Sequence, residues 1–309
     1  MMGGTAPATG YHGGSETGTN YLANEPKETL RSMTFTVPPR NWTEIHWPDL
    51  SGTDPERWIA VLPLAATEQH GPHLPLGTDV MIGEAYMARV RELLPAKIPA
   101  TFLPQQPVGI STEHTYYPGT LTLPTEAALK SWMALGTSVA YAGIKKLVLV
   151  TSHGGNSAAM TLVAQDLRAQ YGLLVVTTSW SRLCAADGSF PAEEVRHGIH
   201  GGAVETSIML ARYPELVRKE AIADFRPASI AMEKDYRWLS TQRPAPFAWL
   251  AQDLHDSGAM GDATKASAAI GAQLLDQGAH AFCELLEEID RFDVNKLAGA
   301  PNSAAKGLD

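Results

Sequence analysis

The sequence from position 66 to position 79 reads Ala66-Thr67-Glu68-Gln69-His70-Gly71-Pro72-His73-Leu74-Pro75-Leu76-Gly77-Thr78-Asp79. It comes directly after an apolar run, residues 58–65, which predicts a buried β-strand. Carboxylates and imidazoles this close together supply the oxygen and nitrogen ligands that suit Zn, Mn or Fe. A short Glu-x-His match alone is more often a solvated loop, so the interpretation depends on the residues at the ends of the other strands.

Strands and helices alternate along the chain from about residue 41. Aliphatic and β-branched runs predict strands at 59–65, 102–108, 147–150 and 173–178, and helical spacing of apolar residues predicts helices at 79–94, 125–142, 158–170 and 264–289. Thr78 or Asp79, and Thr125, are the predicted N-caps. This alternation predicts an α/β fold, a three-layer αβα arrangement with a mainly parallel central sheet. Residues 224–258 are rich in Trp and Pro and give no clear pattern.

Further histidines and acids come after the later strands. His153 lies just beyond the predicted strand at 147–150 and opens a glycine-rich turn, while His200 precedes a second glycine pair. Glu205 lies in the first turn of the next predicted helix. Because ligands bind at the carboxyl ends of parallel strands, these side chains are expected at the same rim as the first motif. Alternatively, Asp79 could be only a helix cap, His153 a core histidine, and Glu205 a surface helix residue.

Composition limits the kind of partner. The 309-residue chain carries a net charge of −9 at pH 7, which argues against nucleic acid and against an anionic membrane surface, so a small-molecule substrate is expected. Its two cysteines, Cys184 and Cys283, are far apart and are interpreted as small buried hydrophobic residues. There is no secretory signal and no apolar run of about 18 residues, which predicts a cytoplasmic protein without a membrane partner.

Three parts of the chain are expected. Residues 1–40, rich in Gly, Thr and Ser, are predicted to be a flexible extension, residues 41–295 one domain, and residues 296–309 a C-terminal tail. The chain has no Gly-x-Ser-x-Gly elbow, and its glycine-rich turn lacks the Lys and the spacing of a P-loop. Neither a serine nucleophile nor a nucleotide site is therefore favoured.

Taken together, these motifs resemble those of the creatininase family of metal-dependent amidohydrolases. In the family's order, the matching blocks are Glu68-Gln69-His70-Gly71-Pro72-His73-Leu74-Pro75 with Thr78-Asp79, Glu113-His114 with Pro118-Gly119-Thr120, His153-Gly154-Gly155-Asn156, and His200-Gly201-Gly202 with Glu205-Thr206-Ser207. The resemblance covers residues 45–290 or so and implies a site for two divalent ions, Zn, Mn or Fe. Glu68 and His153 would hold one ion and His70 and Glu205 the other. Asp79 would bridge both.

The reaction that the resemblance implies is hydrolysis of a non-peptide C–N bond, in a cyclic amide or a formamide, by a hydroxide that bridges the two metals. His200, together with Glu113, would deliver a proton to the leaving nitrogen. The side chains expected in the substrate pocket or behind the ligands are His73, His114, Asn156 and Arg196. Arg196 and Arg182 would suit a substrate with a carboxylate or phosphate, if either reaches the pocket. His12, His46, His255 and His280 are interpreted as uninvolved.

The chain departs from creatininase itself at two positions. Gly155 stands where creatininase has a metal-binding glutamate, and Arg196 where it has a tryptophan, so Glu205 is expected to replace the missing carboxylate and creatinine is not the expected substrate. Two alternatives stay open: hydrolysis of a C–C bond or lactone in a cyclic substrate at the same metal site, or metal-dependent binding without catalysis. Family members are commonly ring-like homo-oligomers, which implies a homo-oligomer, with a hexamer favoured.

Overall fold

A sheet of four parallel strands lies at the centre of the protein. The computed structural model describes residues 35–51, 54–184 and 188–298. The sheet consists of β1 (Ile59–Leu64), β2 (Ala100–Phe102), β3 (Lys146–Thr151) and β4 (Leu174–Ser179), in the order β2-β1-β3-β4. In the register of β1 with β3, Ile59 lies opposite Lys146 and Leu64 lies opposite Thr151. These two strands therefore end side by side.

Helices cover both faces of this sheet. In chain order, the α-helices of the described residues are α1 (Trp47–Ser51), α2 (Thr78–Leu93), α3 (Thr125–Tyr141), α4 (Ser157–Tyr171), α5 (Trp180–Leu183), α6 (Ala192–His197), α7 (Ala203–Arg212), α8 (Ser229–Asp235), α9 (Ala251–Leu254) and α10 (Ala268–Arg291). Helices α2, α7 and α10 pack together on one face, and α3 and α4 on the other. Every side chain of β1 is buried, because apolar layers lie on both sides of the strand. The predicted three-layer αβα fold with a parallel sheet is confirmed.

The starts of two helices differ from the predicted caps. Gly77 is the N-cap of α2 and Pro124 that of α3, so Thr78, Asp79 and Thr125 lie within the first helical turn. The cap predictions were wrong because other groups define these starts. The Thr78 hydroxyl donates to the Pro75 carbonyl three residues earlier, and the fixed φ of Pro124 sets the direction of α3.

Two other predicted elements are shorter than expected. Strand β2 was predicted at 102–108 but covers only Ala100–Phe102, because Pro104 and Pro107 have no backbone N–H with which to continue the ladder. The last helix begins at Ala268 rather than near residue 264, because residues 263–265 form a separate 3₁₀ turn.

The segment without a clear sequence pattern contains very short elements. Strand β5 (Asp224–Phe225) pairs antiparallel with β8 (Gly261–Asp262), and β6 (Leu239–Ser240) pairs with β7 (Ala245–Pro246). The remaining elements are 3₁₀ helices at Trp42–Glu44, Pro55–Arg57, Thr112–His114, Gly154–Asn156, Lys219–Ala221, Ala263–Lys265 and Val294–Lys296. Two-residue strands are too short to produce a periodic pattern in the sequence.

The predicted flexible extension and tail fall mostly outside the described residues, which begin at 35 and end at 298. Cys184 and Cys283 are buried and free, as expected. Among the described residues, no helix has both the length and the apolar character needed to span a membrane.

Candidate metal centre

The sheet topology brings the motif residues to one rim. From the adjacent strands β1 and β3, the chain leaves in opposite directions, to β2 through α2 and to β4 through α4. Ligands of parallel sheets bind at such a switch point. Glu68 comes after β1 and His153 after β3, and both are buried. Asp79 and Glu205 reach the same place from the first turns of α2 and α7.

Five side chains form two groups that share one carboxylate. Glu68, Asp79 and His153 make up the first group. His70, Asp79 and Glu205 make up the second, and in each group the possible ligand atoms lie within 4.8 Å of one another. His153 Nδ1 is 3.1 Å from Glu68 Oε1 and 3.4 Å from Asp79 Oδ2. His70 Nε2 is 3.4 Å from Asp79 Oδ1 and 3.9 Å from Glu205 Oε2. The two oxygens of Asp79 thus face different groups, as in a carboxylate that bridges two ions.

Backbone carbonyls orient both imidazoles of this cluster. His70 Nδ1 is 3.0 Å from the Glu68 carbonyl oxygen, and His153 Nε2 is 2.7 Å from the Ile110 carbonyl oxygen. Since a carbonyl only accepts, each of these nitrogens carries a proton, and the other ring nitrogen faces the carboxylates, where it can hold a second proton or, once deprotonated, donate a lone pair to a metal ion. Metal-binding histidines are typically held in this way by a hydrogen bond from the second nitrogen.

Several polar atoms of the cluster are buried without a hydrogen-bond partner. Among the described residues these include both carboxylate oxygens of Glu68, Oδ2 of Asp79 and Nε2 of His70. Buried charged oxygens without donors are costly unless a cation or a proton compensates them. Their chemistry, oxygen and imidazole nitrogen around a shared carboxylate, fits two divalent ions.

Burial and neighbouring charges shift the pKa values of these groups in opposite directions. Burial lowers the pKa of His70, but the carboxylates of Asp79, Glu205 and Glu68 raise it to about 10. Burial raises the pKa of Asp79, while His70 and His153 lower it to about 2. For Glu205, burial outweighs the attraction of His70 and raises the pKa to about 7. The cluster therefore binds protons at the same positions that would hold cations.

A second pair of histidines lies beside the cluster and is joined by Gln69. His200 Nε2 donates to the Gln69 carbonyl oxygen at 2.6 Å, and the Gln69 side-chain amide donates to His114 Nδ1 at 2.8 Å and to the Gly258 carbonyl oxygen at 2.9 Å. The rings of His114 and His200 stack with centroids 4.1 Å apart. Burial and the neighbouring histidines His70 and His114 hold the pKa of His200 well below its usual value.

His200 is consequently neutral, and its unprotonated Nδ1 lies 3.7 Å from Glu68 Oε1. Together with Glu68 and His70 it forms a third group whose possible ligand atoms lie within 4.8 Å of one another. The sequence did not single out Gln69. Its position between Glu68 and His70 in the motif was the available signal.

A cavity of about 990 Å³ adjoins the cluster. It is lined by Ile82 and Tyr86 of α2, Glu113 and His114, residues 152–155 and Ser157 after β3, residues 179–184 after β4, Val195, residues 198–200, Gly202, Val204, Glu205 and Ile208 around α7, and Gln242 and Trp249. Arg182 is among these residues. The structure does not bring Arg196 to the cavity, because α6 directs its exposed side chain to an ion pair with Glu233.

The remaining predicted site residues occupy two kinds of position. Glu113 lines the cavity, 3.8 Å from His153 Nε2, and burial raises its pKa. His73 and Asn156 do not line the cavity and contact the segments that carry the candidate ligands. His73 Nε2 is 2.9 Å from the Thr206 hydroxyl, next to Glu205, while the Asn156 side chain accepts from Ile110 N and donates to the Ala65 carbonyl. They support the segments that carry the cluster.

The histidines interpreted as uninvolved lie away from the cluster wherever the structure describes them. His46 and His280 are exposed, and His255 packs edge-on against Phe225 and bonds to Ser257. His12 lies outside the described residues.

Comparison with known proteins identifies the family. The sequence profile of the family described as creatinine amidohydrolase matches residues 43–286. The chain belongs to the creatininase family. A mycofactocin precursor peptide peptidase of Mycobacterium tuberculosis (strain ATCC 25618 / H37Rv) is 32% identical over 228 residues, 69% of this chain and 78% of the relative. A creatinine amidohydrolase of Pseudomonas putida is 28% identical over 204 residues, 61% of this chain and 77% of the relative.

Solved structures of creatininase share the fold of this family member. A manganese form superposes with a TM-score of 0.64 and 23% identity over 82% of this chain and 99% of that chain. A Zn-Zn form of a creatininase mutant superposes with a TM-score of 0.63 and 24% identity, over 81% of this chain and 98% of that chain. Hydrolase chemistry and divalent metals are thus properties of the relatives.

Gly155, where the sequence predicts a departure from creatininase, has no room for a side chain. A Cβ on Gly155 would lie 2.5 Å from the Ile110 carbonyl oxygen and 2.7 Å from Glu113 Oε1, so no side chain fits there. Glu205 offers a carboxylate to the second group from the first turn of α7, and its replacement of the creatininase glutamate stays a prediction. The donor set therefore retains three carboxylates and two imidazoles with a glycine at position 155.

Proposed function

We propose that this protein is a two-metal amidohydrolase that cleaves a non-peptide C–N bond, in a cyclic amide or a formamide. The observation that carries the proposal is the pair of candidate ligand groups that share Asp79, beside a large cavity that His153 and Glu205 of these groups line. Divalent ions in such paired sites lower the pKa of bound water and polarise the carbonyl group that is attacked. Glu68 and His153 would hold one ion, and His70 and Glu205 the other.

His200 and Glu113 are the residues proposed to move protons. The Gln69 carbonyl fixes the proton of His200 on Nε2, which leaves Nδ1 free to accept a proton beside the cluster. Glu113 lines the cavity, and because burial raises its pKa, it retains its proton to a higher pH than an exposed glutamate. It can therefore donate a proton to the leaving nitrogen.

A peptide bond is the second candidate for the bond that is cleaved. The 32% identity to a mycofactocin precursor peptide peptidase favours it, as does a cavity of about 990 Å³, at the upper end of the range for small-molecule sites. Hydrolysis of a C–C bond or a lactone would use the same residues, and a binding protein would use only the metal ligands. The kind of substrate that is turned over, together with its products, separates these four candidate functions.

The test is turnover by full-length protein loaded with Zn²⁺ or Mn²⁺, against cyclic amides, formamides, short peptides, lactones and cyclic ketones. Released amine or ammonium is measured beside the released acid, with Asp79→Asn as the metal-site control. The expected result is a new amine group, from ring opening of cyclic amides or from deformylation of formamides, with the wild type only. Cleavage of peptides alone would favour the second candidate. Turnover of lactones or ketones alone would contradict amide hydrolysis, and inertness towards the whole panel would favour a binding protein.

A further inference from the structure

Arg182 lies on the cavity wall in a fixed backbone position. It belongs to α5, which comes directly after β4. Trp180, two residues earlier, is buried and stacks on Tyr86 with ring centroids 4.7 Å apart and planes 2° from parallel. The same indole also packs against Phe282, with centroids 4.8 Å apart. These contacts anchor α5 to α2 and α10 and so fix the position from which Arg182 extends.

The guanidinium of Arg182 has no hydrogen bond or ion pair with any residue that the structure describes. Two other exposed arginines are engaged, since Arg196 pairs with Glu233 and Arg226 pairs with Glu193. Among the described residues that line the cavity, Arg182 is the only lysine or arginine. The cavity thus has one cationic side chain available to a ligand, in a chain whose net charge is −9.

The same cavity also has an apolar part. Ile82 and Tyr86 of α2, Leu183 of α5, and Val204 and Ile208 of α7 all line it. Apolar lining with few polar groups is typical of sites that bury a hydrocarbon or aromatic portion of a ligand. A ligand that reaches from the metal cluster into this cavity can therefore bury an apolar group and meet a cation as well.

We propose that Arg182 forms an oxyanion-binding subsite, so that the substrate of the metal centre carries a carboxylate or phosphate together with an apolar group. A guanidinium is planar and presents paired donors that match both kinds of oxyanion. The inference rests on the proposed function, because it assigns a substrate class to the same cavity. It also corrects the choice between the two arginines considered in the sequence, since only Arg182 reaches the site.

The test uses two pairs of probes, and the two members of each pair differ by a single oxyanion. The carboxylate pair is N-formylphenylalanine and N-formylphenylalaninamide, and the phosphate pair is N-formylphosphoethanolamine and N-formylethanolamine. Affinity for full-length, Zn²⁺-loaded protein is measured by calorimetry, and turnover by formate release. The variants are Arg182→Gln and Arg182→Lys, with Arg196→Gln as the matched control for an exposed arginine outside the cavity.

The wild type is expected to bind the anionic member of at least one pair about tenfold more tightly than the neutral member, as a charge-assisted hydrogen bond allows. This preference should disappear in Arg182→Gln, be partly retained in Arg182→Lys and remain intact in Arg196→Gln. The pair that shows the preference identifies carboxylate or phosphate. Equal preference in the wild type and Arg182→Gln, or no preference in either pair, would overturn the inference.

The binding measurement tests the Arg182 subsite and the turnover measurement tests formamide hydrolysis, so either proposal can fail without the other. An oxyanion preference that depends on Arg182, without formate release from any probe, would keep the subsite and count against formamide hydrolysis. Formate release from charged and neutral probes alike, unchanged in Arg182→Gln, would keep the hydrolysis and remove the subsite.

Discussion

At the scale of single residues, hydrogen bonds decide which nitrogen each histidine presents. His70 and His153 donate to backbone carbonyls and direct their other nitrogen to the carboxylates. His114 and His200 are oriented by Gln69, through its side chain and its carbonyl respectively. Gln69 thus acts through two histidines and is a positioning residue for them.

Replacing Gln69 tests whether its hydrogen bonds stabilise the site. Gln69→Leu removes the donors to His114 and Gly258 inside a buried site and leaves those acceptors unpaired. The free energy of unfolding of the metal-free protein should fall by about 1–3 kcal/mol. Denaturant titration measures it. Gln165→Leu, on the exposed side of α4, is the control and should change little; equal stability of the two variants would contradict a bonding role for Gln69.

Metal affinity should rise with pH between 6 and 8. In the metal-free protein the pKa of His70 is about 10 and that of Glu205 about 7, so His70 is protonated throughout this range and Glu205 loses its proton within it. Each proton that a metal displaces adds up to about tenfold in affinity per pH unit below its pKa.

Competition with a chelator of known pH dependence, at pH 6, 7 and 8, measures this slope. Glu205→Gln removes one of the proton-binding groups of the cluster, which also include His70 and His153, whose pKa values neighbouring carboxylates raise, and it should give a shallower slope at pH 6. A Zn²⁺ affinity that does not change across these pH values would count against proton release from the cluster.

At the scale of single residues, much of the cluster could be predicted from the sequence, whereas the hydrogen bonds that support it could not. Glu68, His70 and Asp79 lie within twelve positions of one another, and their residue types alone indicate metal chemistry. The contacts of His73 with Thr206 and of Gln69 with Gly258 join residues 133 and 189 positions apart. Contacts at such separations leave no periodic or local pattern in a single sequence.

At the scale of elements, a buried carboxylate joins three segments around the site. Glu194 of α6 accepts from Ala203 N at the start of α7 at 2.7 Å and from Asp262 N of β8 at 2.6 Å. Gly202 and Gly261 approach its carboxylate so closely that a Cβ on either would lie within 3 Å of it. Because Glu205 is in the first turn of α7, Glu194 helps to fix the position of that candidate ligand.

Glu194→Gln should destabilise the protein and weaken metal binding together. The amide keeps the shape but offers one acceptor where two backbone N–H groups need one each, which costs about 1–3 kcal/mol of unfolding free energy. Zn²⁺ affinity should fall as α7 shifts. The matched control is Glu193→Gln on the preceding, exposed position, where the ion pair with Arg226 is solvated and little change is expected. Identical behaviour of the two variants would contradict this role.

Elements with a strong hydrophobic periodicity could be predicted from the sequence, and strands that form only by pairing with a distant segment could not. The strands at 147–150 and 173–178 and the helices at 125–142 and 158–170 were predicted to within a few residues, because burial on one or two faces sets their pattern. Strand β5 exists because it pairs with β8, some 36 positions later. The helix caps were misplaced because a preceding glycine or proline, rather than a side-chain cap, starts α2 and α3.

At the scale of the whole molecule, the parallel sheet explains why chemistry from four separate motifs converges. Strands β1 and β3 end together, and the helices α2 and α7 that pack on one face begin at the same rim. The cavity beside the cluster is formed by loops after β3 and β4 and by the segments around α7. The fold therefore brings together both the candidate metal ligands and a cavity beside them.

The most direct test of the two-metal site is the metal content of full-length protein purified without chelator, beside an Asp79→Asn variant shown by circular dichroism to be folded. Because Asp79 is shared by both groups, the wild type should carry about two equivalents of Zn, Mn or Fe per chain and the variant should lose most of them. Wild-type protein that remains free of metal after incubation with Zn²⁺ and Mn²⁺, or a variant that retains both ions, would contradict the shared site.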